Sequence, residues 1–223
     1  MEDKTASIDV SALTGAAADL GLQLSESQSD ALLRYARLLL RWNTVHNLTA
    51  IETPAQVLSH HLLDSLAIVP EIQRVAGDRS MRILDVGAGG GLPGIPLAIA
   101  ARKLHVTLID KVQKKVAFLT QVKLELGLDN LTCVHARVET LQAQPPFELI
   151  VARAFSSLAE FVGLTRHILA PDGWWCAMKG GLPRDELDEL KRSSFDVRVG
   201  PIVKLRVPHL DAERHLIWMQ LAT

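Results

Sequence analysis

Five residues near the middle of the chain have the types and spacing of a loop that binds a nucleotide cofactor. Gly89, Gly91 and Gly94 match G-x-G-x-x-G, in which a helix N-terminus binds a pyrophosphate. Gly87 extends the series to G-x-G-x-G, and Asp85 stands two residues before it. A carboxylate at this position would repel a pyrophosphate but would attract a cofactor that carries positive charge. The pattern therefore favours a cationic nucleotide cofactor over a dinucleotide, and a glycine loop that binds nothing is the weaker alternative.

The residues on either side of the loop predict the elements that hold it. Ile83, Leu84 and Val86 form a short apolar run, typical of a strand that is buried on both faces. Residues 97–101 predict an apolar helix, whose first turn tolerates Pro96 because no N–H is needed there. Strand, glycine turn and helix together begin a doubly wound α/β domain. In that context, the acid and the glycines resemble motif I of the class I S-adenosylmethionine-dependent methyltransferases.

A second acid follows the next predicted strand. Residues 105–110 predict a strand that ends at Asp110, where a carboxylate can accept hydrogen bonds from ribose hydroxyls. The same residue could cap the helix predicted for residues 112–126, and the two roles are compatible. Four lysines follow on or just before that helix: Lys111, Lys114, Lys115 and Lys123. They could bind phosphates or form a solvated face, and the pattern supports both interpretations equally.

Two further strands complete the predicted cofactor site. Residues 131–135 predict a third strand, and beyond its end Val138 and Glu139 could offer an adenine an apolar wall and an acceptor for its amino group. Residues 147–153 predict a fourth strand, which places Arg153 over the cleft. The remaining elements are predicted as a helix at 158–169, a turn at 171–173, a strand at 174–180, a helix at 186–192, and an antiparallel pair of strands at 195–207 and 216–221.

The N-terminal third of the chain is predicted to be helical. Asp9 could cap a first helix that ends at Gly21, and residues 25–28 form a capping box. The helix behind that box has an apolar face formed by Leu32, Leu33, Ala36, Leu39 and Leu40. Another face carries three arginines: Arg34, Arg37 and Arg41. These arginines could bind phosphates, and a solvated helix face is at least as good an interpretation.

The residue types of His60, His61 and Asp64 are those of metal ligands. Adjacent histidines point in different directions on a helix, however, and no third ligand stands at a suitable spacing. We therefore interpret the three as packing or capping residues and expect no metal site.

The composition is that of an ordinary soluble globular protein. Hydrophobic residues make up 48% and charged residues 22% of the 223 positions, a length that allows one sizeable domain or one domain with a helical extension. The net charge of −1 means that any RNA-binding surface must be local. No apolar run reaches membrane-spanning length, and residues 1–4 lack the start of a signal peptide. Cys133 and Cys176 provide neither a disulfide framework nor a Cys-based zinc site. We expect a cytoplasmic enzyme.

Several motifs, taken in order from Trp42 to Gly180, resemble those of one family. They are the loop from Asp85 to Gly94, Arg137-Val138-Glu139, Arg153-Ala154-Phe155, Lys179-Gly180, and upstream Trp42-Asn43 with Asn47-Leu48-Thr49 and His61 with Asp64-Ser65. The family is that of the ribosomal RNA small-subunit methyltransferase G, also called glucose-inhibited division protein B. The combination is specific, although the glycine loop alone would not be.

The resemblance implies a fold, a cofactor and a reaction. The fold is a seven-stranded doubly wound, Rossmann-like sheet with an N-terminal helical extension. The cofactor is S-adenosylmethionine, and the reaction is methylation of N7 of one guanine in a loop of 16S ribosomal RNA. The residues that line the cofactor site by resemblance are Gly87, Leu92, Val138, Glu139 and Arg153.

Two positions depart from the pattern of the family. The family usually has Asp-Ser where this chain has Asp110-Lys111, and an aspartate is common where it has Glu148. Because Asp110 is retained, ribose binding is still expected, whereas Lys111 could alter the contact of this loop with the substrate.

The sequence lacks the motifs of two other methylation reactions, and this absence agrees with methylation of N7. Methylating a cytosine carbon needs a cysteine nucleophile after the fourth strand, but Cys133 and Cys176 fall inside predicted strands. Methylating an exocyclic amine uses an Asn/Asp-Pro-Pro-aromatic motif after that strand, and here the similar residues 144–147 precede it. N7 carries a lone pair and no proton, so the enzyme needs only to position the base, with Arg153 as the expected positioning residue and no general base.

These interpretations assign residues 1–75 to a helical extension and 76–223 to a methyltransferase domain, packed as one globular unit. The predicted cofactor-binding residues are Asp85, Gly87, Gly89, Gly91, Leu92, Asp110, Val138, Glu139 and Arg153. The predicted RNA-binding residues are Arg34, Arg37, Arg41, Lys111, Lys114, Lys115, Arg137 and Lys179. The expected partner is 16S ribosomal RNA or the small-subunit particle, with no membrane, and we expect a monomer.

Three other functions remain open at this point. A methyltransferase of the same fold could act on another RNA, a small molecule or a protein. A nicotinamide-dependent oxidoreductase could use Gly89, Gly91 and Gly94 as a dinucleotide fingerprint. A non-catalytic RNA-binding module would bind RNA without transferring a methyl group.

Overall fold

The computed structural model describes residues 8–222, and in that part of the chain one seven-stranded sheet has the order β3-β2-β1-β4-β5-β7-β6. The strands are β1 (Met81–Val86), β2 (Leu104–Asp110), β3 (Leu131–His135), β4 (Phe147–Arg153), β5 (Leu169–Lys179), β6 (Val197–Leu205) and β7 (Arg214–Leu221). β1 to β5 pair in parallel, whereas β7 lies antiparallel between β5 and β6. The predicted seven-stranded doubly wound sheet is confirmed. The expected absence of a signal peptide in residues 1–4 lies outside the described residues.

Helices cover the sheet and precede it in the chain. They are α1 (Val10–Asp19), α2 (Glu26–His46), α3 (Pro54–Gln56), α4 (Asp64–Leu66), α5 (Val69–Ala76), α6 (Gly94–Ala100), α7 (Gln113–Leu126), α8 (Leu158–Thr165) and α9 (Arg184–Arg192). A π-helical segment, Val57–Leu63, joins α3 to α4, and short 3-10 turns lie at Val138–Thr140 and Arg166–Ile168. No helix within residues 8–222 is long and apolar enough to cross a membrane.

The strand order places a ligand site beside β1. β1 lies between β2 and β4, so the connections that leave it on its two sides run in opposite directions. Doubly wound sheets bind ligands at this switch point, outside the carboxyl ends of the strands. Ile83 and Leu84 of β1 are fully buried on opposite faces, as expected for a central parallel strand. The loop that begins at Gly87 therefore starts from a rigid support.

The N-terminal helices begin where their caps predict. Asp9 accepts hydrogen bonds from two backbone N–H groups of the first turn of α1, and Ser25 and Gln28 form the predicted capping box of α2. Gln28 also donates to the carbonyls of Ile99 and Ala100, at the end of α6. α1 and α2 share a continuous hydrophobic core with β1, α6 and α7. The helical segment is therefore packed against the sheet domain.

The structure corrects three predicted boundaries. α8 ends at Thr165, where its hydroxyl bonds to a carbonyl one turn back and to the indole of Trp175, rather than continuing to 169. The residues predicted as a turn at 171–173 lie within β5 and form an irregularity, because the pairing with β4 shifts between Phe147 and Leu149. α9 begins at Arg184, two residues earlier than predicted. The predicted turn is therefore wrong, because residues 171–173 form an irregularity inside a continuous strand.

Candidate functional site

The glycine loop after β1 has backbone angles that favour glycine. Gly87, Gly89 and Gly91 have φ values of 68°, 56° and 90°, in the left-handed region that residues with a Cβ rarely adopt. A Cβ on Gly91 would lie 2.2 Å from Cδ1 of Ile95 and 3.0 Å from Cδ2 of Leu119, so the loop is also packed tightly there. A Cβ on Gly87 would meet no atom within 4 Å. One side of the loop is therefore closed by packing, and the other is open.

Asp85 lies beneath this loop and is fully buried. Its Oδ2 accepts a hydrogen bond of 2.8 Å from the N–H of Gly94, which ties the end of β1 to the start of α6. Its Oδ1 has no hydrogen-bond partner among residues 8–222. Burial raises the pKa of this carboxyl to about 7, although the N–H of Gly94 and the charge of Arg153 oppose the rise. The expected contact between Asp85 and a cationic group of the cofactor stays a prediction. The unpaired Oδ1 is an acceptor that such a group could use.

Asp110 holds two backbone segments at the end of β2. Its Oδ2 accepts from the N–H of Gly89, and its Oδ1 accepts from the N–H of Val112, each at 2.9 Å. The predicted helix cap is wrong in detail, because Val112 is the capping residue of α7 and Asp110 bonds just ahead of it. Each carboxylate oxygen still has lone-pair capacity for a further donor. Asp110 can therefore position the glycine loop and accept a ligand hydroxyl together.

A cavity of about 310 Å³ lies over the ends of β1, β2 and β3, and we call it the loop cavity. Its lining residues are Val86, Gly87, Ile109, Asp110, Lys111, Val112, Lys115, Ala136, Arg137, Val138, Glu139, Phe155, Glu160 and Leu164. Val138 and Phe155 supply apolar surface, while Asp110 and Glu139 supply hydrogen-bond acceptors. A backbone hydrogen bond lowers the pKa of Glu139 below its usual value, and the neighbouring Arg137 lowers it further. This lining suits a nucleoside.

The predicted cofactor-binding residues fall into three groups. Gly87, Asp110, Val138 and Glu139 line the loop cavity. Asp85, Gly89, Gly91 and Leu92 lie under or beside the loop and do not line that cavity. Arg153 lines a different cavity. The structure thus brings four of the nine predicted residues to one surface, and four more support the loop that borders it.

The second cavity, of about 360 Å³, lies beyond the ends of β4 and β5, and we call it the arginine cavity. It is lined by Ile51, His60, His61, Asp64, Arg153, Ala154, Met178, Lys179, Gly180 and Arg214. Asp64 is at its centre: Oδ2 lies 3.1 Å from Nη1 of Arg153, and Oδ1 lies 2.7 Å from Nε of Arg214. Arg153 also donates to the carbonyl of His60 at 3.0 Å. The interpretation of Asp64 as a packing or capping residue is wrong, because its carboxylate pairs with two arginines.

His61 and Lys179 are held by neighbouring groups in the arginine cavity. Nε2 of His61 lies 2.8 Å from the hydroxyl of Thr49. Burial, followed by the charge of Arg153, lowers the pKa of His61 to about 4, so its ring is neutral at pH 7. Nζ of Lys179 lies 2.7 Å from Glu186 and donates to the carbonyl of Phe155 at 3.1 Å. Lys179, predicted to bind RNA, is thus already paired with an acid.

A three-residue segment separates the two cavities. Arg153 faces the arginine cavity and Phe155 faces the loop cavity. Ala154, between them, has φ 56°, an unusual conformation for a residue with a Cβ. Strained backbone of this kind persists where the surrounding structure requires it, often at functional sites. Here it lies between two large side chains, Arg153 and Phe155, that face different cavities.

The other predicted RNA-binding residues lie at two surfaces. Lys111, Lys115 and Arg137 border the loop cavity, and Lys114 is exposed beside them. Arg34, Arg37 and Arg41 lie around a further concave surface together with Leu38 and Glu125. Nη2 of Arg34 donates to the carbonyl of Glu125 at 2.7 Å, near the end of α7, so this arginine also joins two helices.

Several lining residues were missed by the sequence interpretation. Phe155, Glu160 and Leu164 line the loop cavity, and Arg214 lines the arginine cavity. Phe155 follows Arg153 by two residues and could have been found from its place at the end of β4. Arg214 gives no local signal, because its partner Asp64 is 150 residues away in the sequence.

Cysteine chemistry and metal binding find no support in the described part of the chain. Cys133 lies in β3 and Cys176 in β5, and burial raises the pKa of both thiols. Among residues 8–222, no group of three or more His, Cys, Asp or Glu side chains is placed to hold a metal ion.

A nucleoside cofactor with a cationic tail fits the residues around the loop cavity. The open side of Gly87 allows close approach, which a Cβ there would fill. The unpaired Oδ1 of Asp85 is a buried acceptor that a positive charge would satisfy. The carboxylates of Asp110 and Glu139 match hydroxyl and amino donors.

Comparisons with known proteins add a family and a fold. The model of the family described as rRNA small subunit methyltransferase G matches residues 28–217. A ribosomal RNA small subunit methyltransferase G of Leptothrix cholodnii is 52% identical over 93% of this chain and 93% of its own length. The protein of the same name from Methylibium petroleiphilum is 48% identical over 90% of this chain and 89% of its own.

Solved structures with the same fold are more distant in sequence. A SAM-dependent methyltransferase from Aquifex aeolicus has a TM-score of 0.56 and 17% identity over 78% of this chain and 97% of that chain. A glycopeptide N-methyltransferase in complex with sinefungin has a TM-score of 0.59 and 13% identity over 70% of this chain and 85% of its own. At these identities, the likeness concerns the fold.

Proposed function

This chain belongs to the rRNA small subunit methyltransferase G family, and we propose that it transfers a methyl group from S-adenosylmethionine to N7 of a guanine in 16S ribosomal RNA. The observation that carries the proposal is the match to that family across residues 28–217, a range that contains the lining residues of both cavities. The nicotinamide alternative is disfavoured by the carboxylate of Asp85, which bonds to the N–H of Gly94 beneath the glycine loop, where it would repel a pyrophosphate.

The loop cavity is the proposed cofactor site. The chemistry supplied by bound S-adenosylmethionine is a methyl group activated on a sulfonium sulfur. Asp110 would accept hydrogen bonds from the ribose hydroxyls, and Val138 and Phe155 would enclose the adenine, with Glu139 near its amino group. Asp85 would place negative charge beneath the cationic end, and Gly87 would leave the space that close approach requires.

The residues of this chain act on the reaction by positioning. N7 of guanine already has an in-plane lone pair, so no side chain needs to remove a proton from it. Alignment of the lone pair with the methyl carbon supplies the rate acceleration. Arg153, fixed by Asp64 and by the carbonyl of His60 between the two cavities, is the proposed positioning residue.

RNA would bind through basic side chains around these cavities. The proposed phosphate contacts are Arg34, Arg37, Arg41, Lys111, Lys114, Lys115 and Arg137, with Lys179 beside the reacting base. N7 lies in a deep, narrow groove of A-form RNA, so the target guanine must lie in a loop or be extruded. Free RNA or the small-subunit particle would then be the partner. Since ribosomal RNA is the substrate, we place the chain in the cytoplasm.

We propose that the protein is a monomer. We propose that residues 1–75 are a helical extension and 76–223 the methyltransferase domain, acting as one unit. Tyr35 of α2 supports this view, because its buried hydroxyl donates to the carbonyl of Gly90 in the glycine loop at 2.6 Å.

The test is methyl transfer followed by identification of the labelled base. The whole chain is incubated with S-adenosylmethionine labelled in the methyl group and with unmethylated small-subunit RNA, and the label is mapped. We expect one labelled guanine, modified at N7. Gly87→Val should abolish the transfer because its side chain fills the cofactor space, while Gly181→Ala, a glycine with nothing within 4 Å, should retain it. Label on a cytosine carbon, on an exocyclic amine or in no RNA at all would contradict the proposal.

A further inference from the structure

We infer that the arginine cavity receives the target guanine, and that Asp64 holds Arg153 and Arg214 so that their remaining N–H groups donate to O6 of the base. The inference rests on the proposed function, because it assigns a place and a recognition group to the substrate of that reaction. It concerns selection of the base and is independent of how the cofactor is held.

The two guanidinium groups are each fixed on one side only. Arg153 uses Nη1 for the carboxylate of Asp64 and the carbonyl of His60. Arg214 uses Nε for the same carboxylate and Nη1 for the carbonyl of Glu213. A guanidinium has five N–H donors, and within residues 8–222 no acceptor is found for Nη2 of either arginine. Both side chains are about one-fifth exposed, so these donors can reach a ligand.

Most other polar groups that face this cavity already have a partner, including Nδ1 of His60, which lies 2.8 Å from the hydroxyl of Ser59. The side chain of Asp64 is 3% exposed, and each of its oxygens already accepts from an arginine. The neutral ring of His61 bonds to Thr49, and Lys179 is paired with Glu186. Apolar surface comes from Ile51, Ala154 and Met178. The cavity thus offers guanidinium donors set among apolar walls.

This donor pattern distinguishes guanine from adenine. Guanine presents two acceptors, O6 and N7, on the edge that carries the methylation site, whereas adenine presents an amino donor in place of O6. Because N7 must keep its lone pair for the methyl group, the arginine donors have to reach O6. An adenine in the same place would set its amino group against a guanidinium. The side-chain chemistry therefore selects guanine.

The position of the cavity agrees with this role. It shares residues 153–155 as a wall with the loop cavity, so a base in one cavity lies beside a cofactor in the other. Enzymes that modify a base in structured nucleic acid take it out of the stack and enclose it in a pocket, where its edges are read by hydrogen bonds. The arginine cavity lies where such a base would arrive.

The test compares two bases in two proteins. Small-subunit RNA is assembled by ligation with either guanine or 2-aminopurine, which lacks O6 but keeps N7, at the mapped target. For the parent chain, kcat/KM should fall roughly 10- to 100-fold with 2-aminopurine, the range for one lost arginine–guanine contact. Arg214→Gln should be slow with guanine and should show a smaller further loss with 2-aminopurine than the parent, because only Arg153 still reaches O6. Arg214→Lys, which keeps a donor beside Asp64, should recover part of the guanine preference.

Controls separate recognition from folding and from the proposed function. Arg198→Gln removes the same charge from the same hairpin, at a side chain that donates to Gln220, and should discriminate as the parent does. Cofactor affinity of Arg214→Gln should equal that of the parent, because Arg214 does not line the loop cavity. Equal rates on both bases in the parent, or the same fold loss in Arg214→Gln as in the parent, would overturn the inference. No transfer to guanine by the parent would instead overturn the proposed function.

Discussion

The two cavities on either side of residues 153–155 differ in the hydrogen-bonding groups that we assign to their ligands. The loop cavity presents the carboxylates of Asp110 and Glu139 beside a turn of the main chain. The arginine cavity presents guanidinium groups whose carboxylate partner, Asp64, is buried behind them. The first can therefore accept hydrogen bonds from a ligand, and the second can donate them.

From this difference we expect the cofactor and the RNA base to be held by separate parts of the chain. A change in the glycine loop should alter cofactor binding, and a change around Asp64 should alter use of the RNA base. Residues 153–155 are the exception, because they face both cavities. The predictions below test how far this separation holds.

The largest effects are expected within the glycine loop, where its packed and open sides should respond differently. Gly91→Ala combines a positive φ with a Cβ placed 2.2 Å from Ile95. Overpacking and left-handed strain each cost about 1–3 kcal/mol, so we expect unfolding free energy to fall by roughly 2–6 kcal/mol. In Gly87→Ala, the unfolding free energy should fall only by the cost of left-handed strain. Because the new Cβ enters the loop cavity, the affinity for S-adenosylhomocysteine should also fall about tenfold or more.

Urea unfolding and calorimetric titration with S-adenosylhomocysteine measure the two effects. Gly181→Ala is the matched control, since a Cβ there meets nothing within 4 Å. Equal stability losses for the Gly87 and Gly91 variants would show that the loop does not have a packed and an open side.

The pH dependence of stability should have opposite signs for Asp85, the acid buried beneath the glycine loop, and His61, the base buried at the arginine cavity. Burial raises the pKa of Asp85 from 3.8 to about 7, so its ionisation disfavours the folded state, by roughly 4 kcal/mol at 1.36 kcal/mol per pKa unit. Burial lowers the pKa of His61 from 6.5 to about 4, so its protonation disfavours the folded state, by roughly 3 kcal/mol. Arg153 contributes to both shifts, together with Asp110 near Asp85 and Asp64 near His61.

Differences between the parent and two variants isolate these contributions. Relative to Asp85→Asn, the parent should lose stability as the pH rises from about 4 to about 7, where Asp85 ionises. Relative to His61→Gln, the parent should lose stability as the pH falls from about 6.5 to about 4, where the unfolded histidine takes up a proton. Unfolding by urea at several pH values gives both slopes. If the stability relative to the two variants changed with pH in the same direction, the opposite pKa shifts of Asp85 and His61 would be contradicted.

A smaller effect is expected for Asp110→Asn, which tests the acceptor character of the loop cavity. The amide has one oxygen for the N–H groups of Gly89 and Val112, so a ribose hydroxyl loses its acceptor. Affinity for S-adenosylhomocysteine should fall by about 1–3 kcal/mol, the cost of a hydrogen bond to a charged group. The difference in binding affinity between the variant and the parent should be smaller for an analogue without ribose hydroxyls.

Calorimetric titration with S-adenosylhomocysteine and with the analogue that lacks ribose hydroxyls tests this role of Asp110. Asp188→Asn, which removes an exposed carboxylate paired with Lys191 on α9, serves as the control and should bind both like the parent. A gap of the same size for the two nucleosides would mean that Asp110 acts only by holding the loop.

The smallest effect is expected at the contact between the N-terminal helices and the loop. Tyr35→Phe leaves the carbonyl of Gly90 without its partner, which should cost about 1 kcal/mol of stability and weaken cofactor binding. Thr165→Val removes another buried hydroxyl, which bonds to Trp175, and should reduce stability without changing cofactor affinity. Unchanged cofactor affinity in Tyr35→Phe would show that α2 supports the sheet but does not position the loop.

Much of the loop cavity could be predicted from the sequence, because many of its residues lie at or just beyond the end of a strand. The apolar runs before Asp85 and Asp110 indicated buried parallel strands, whose carboxyl ends must meet at one edge. The same reasoning located Val138 and Glu139. It did not show that Asp85 lies beneath the loop, because burial depends on the packing of α6 over β1.

The arginine cavity could not be predicted in the same way. Asp64, Arg153 and Arg214 come from three distant parts of the chain, and they meet only because β7 inserts antiparallel beside β5. Each residue alone is typical of a surface ion pair. The extra residues in β5 could not be predicted from the sequence either. A Pro-Asp-Gly sequence predicts a turn, and only the pairing with β4 shows that the strand continues.

The most direct test of the division between the cavities is a pair of measurements on two variants, Gly87→Ala and Arg214→Gln. Calorimetric titration with S-adenosylhomocysteine and methyl transfer to small-subunit RNA are measured for both. Gly87→Ala should lose nucleoside affinity and methyl transfer together. Arg214→Gln should bind the nucleoside as tightly as the parent and yet transfer poorly. Loss of nucleoside affinity in Arg214→Gln equal to that in Gly87→Ala would show that the two cavities form one site.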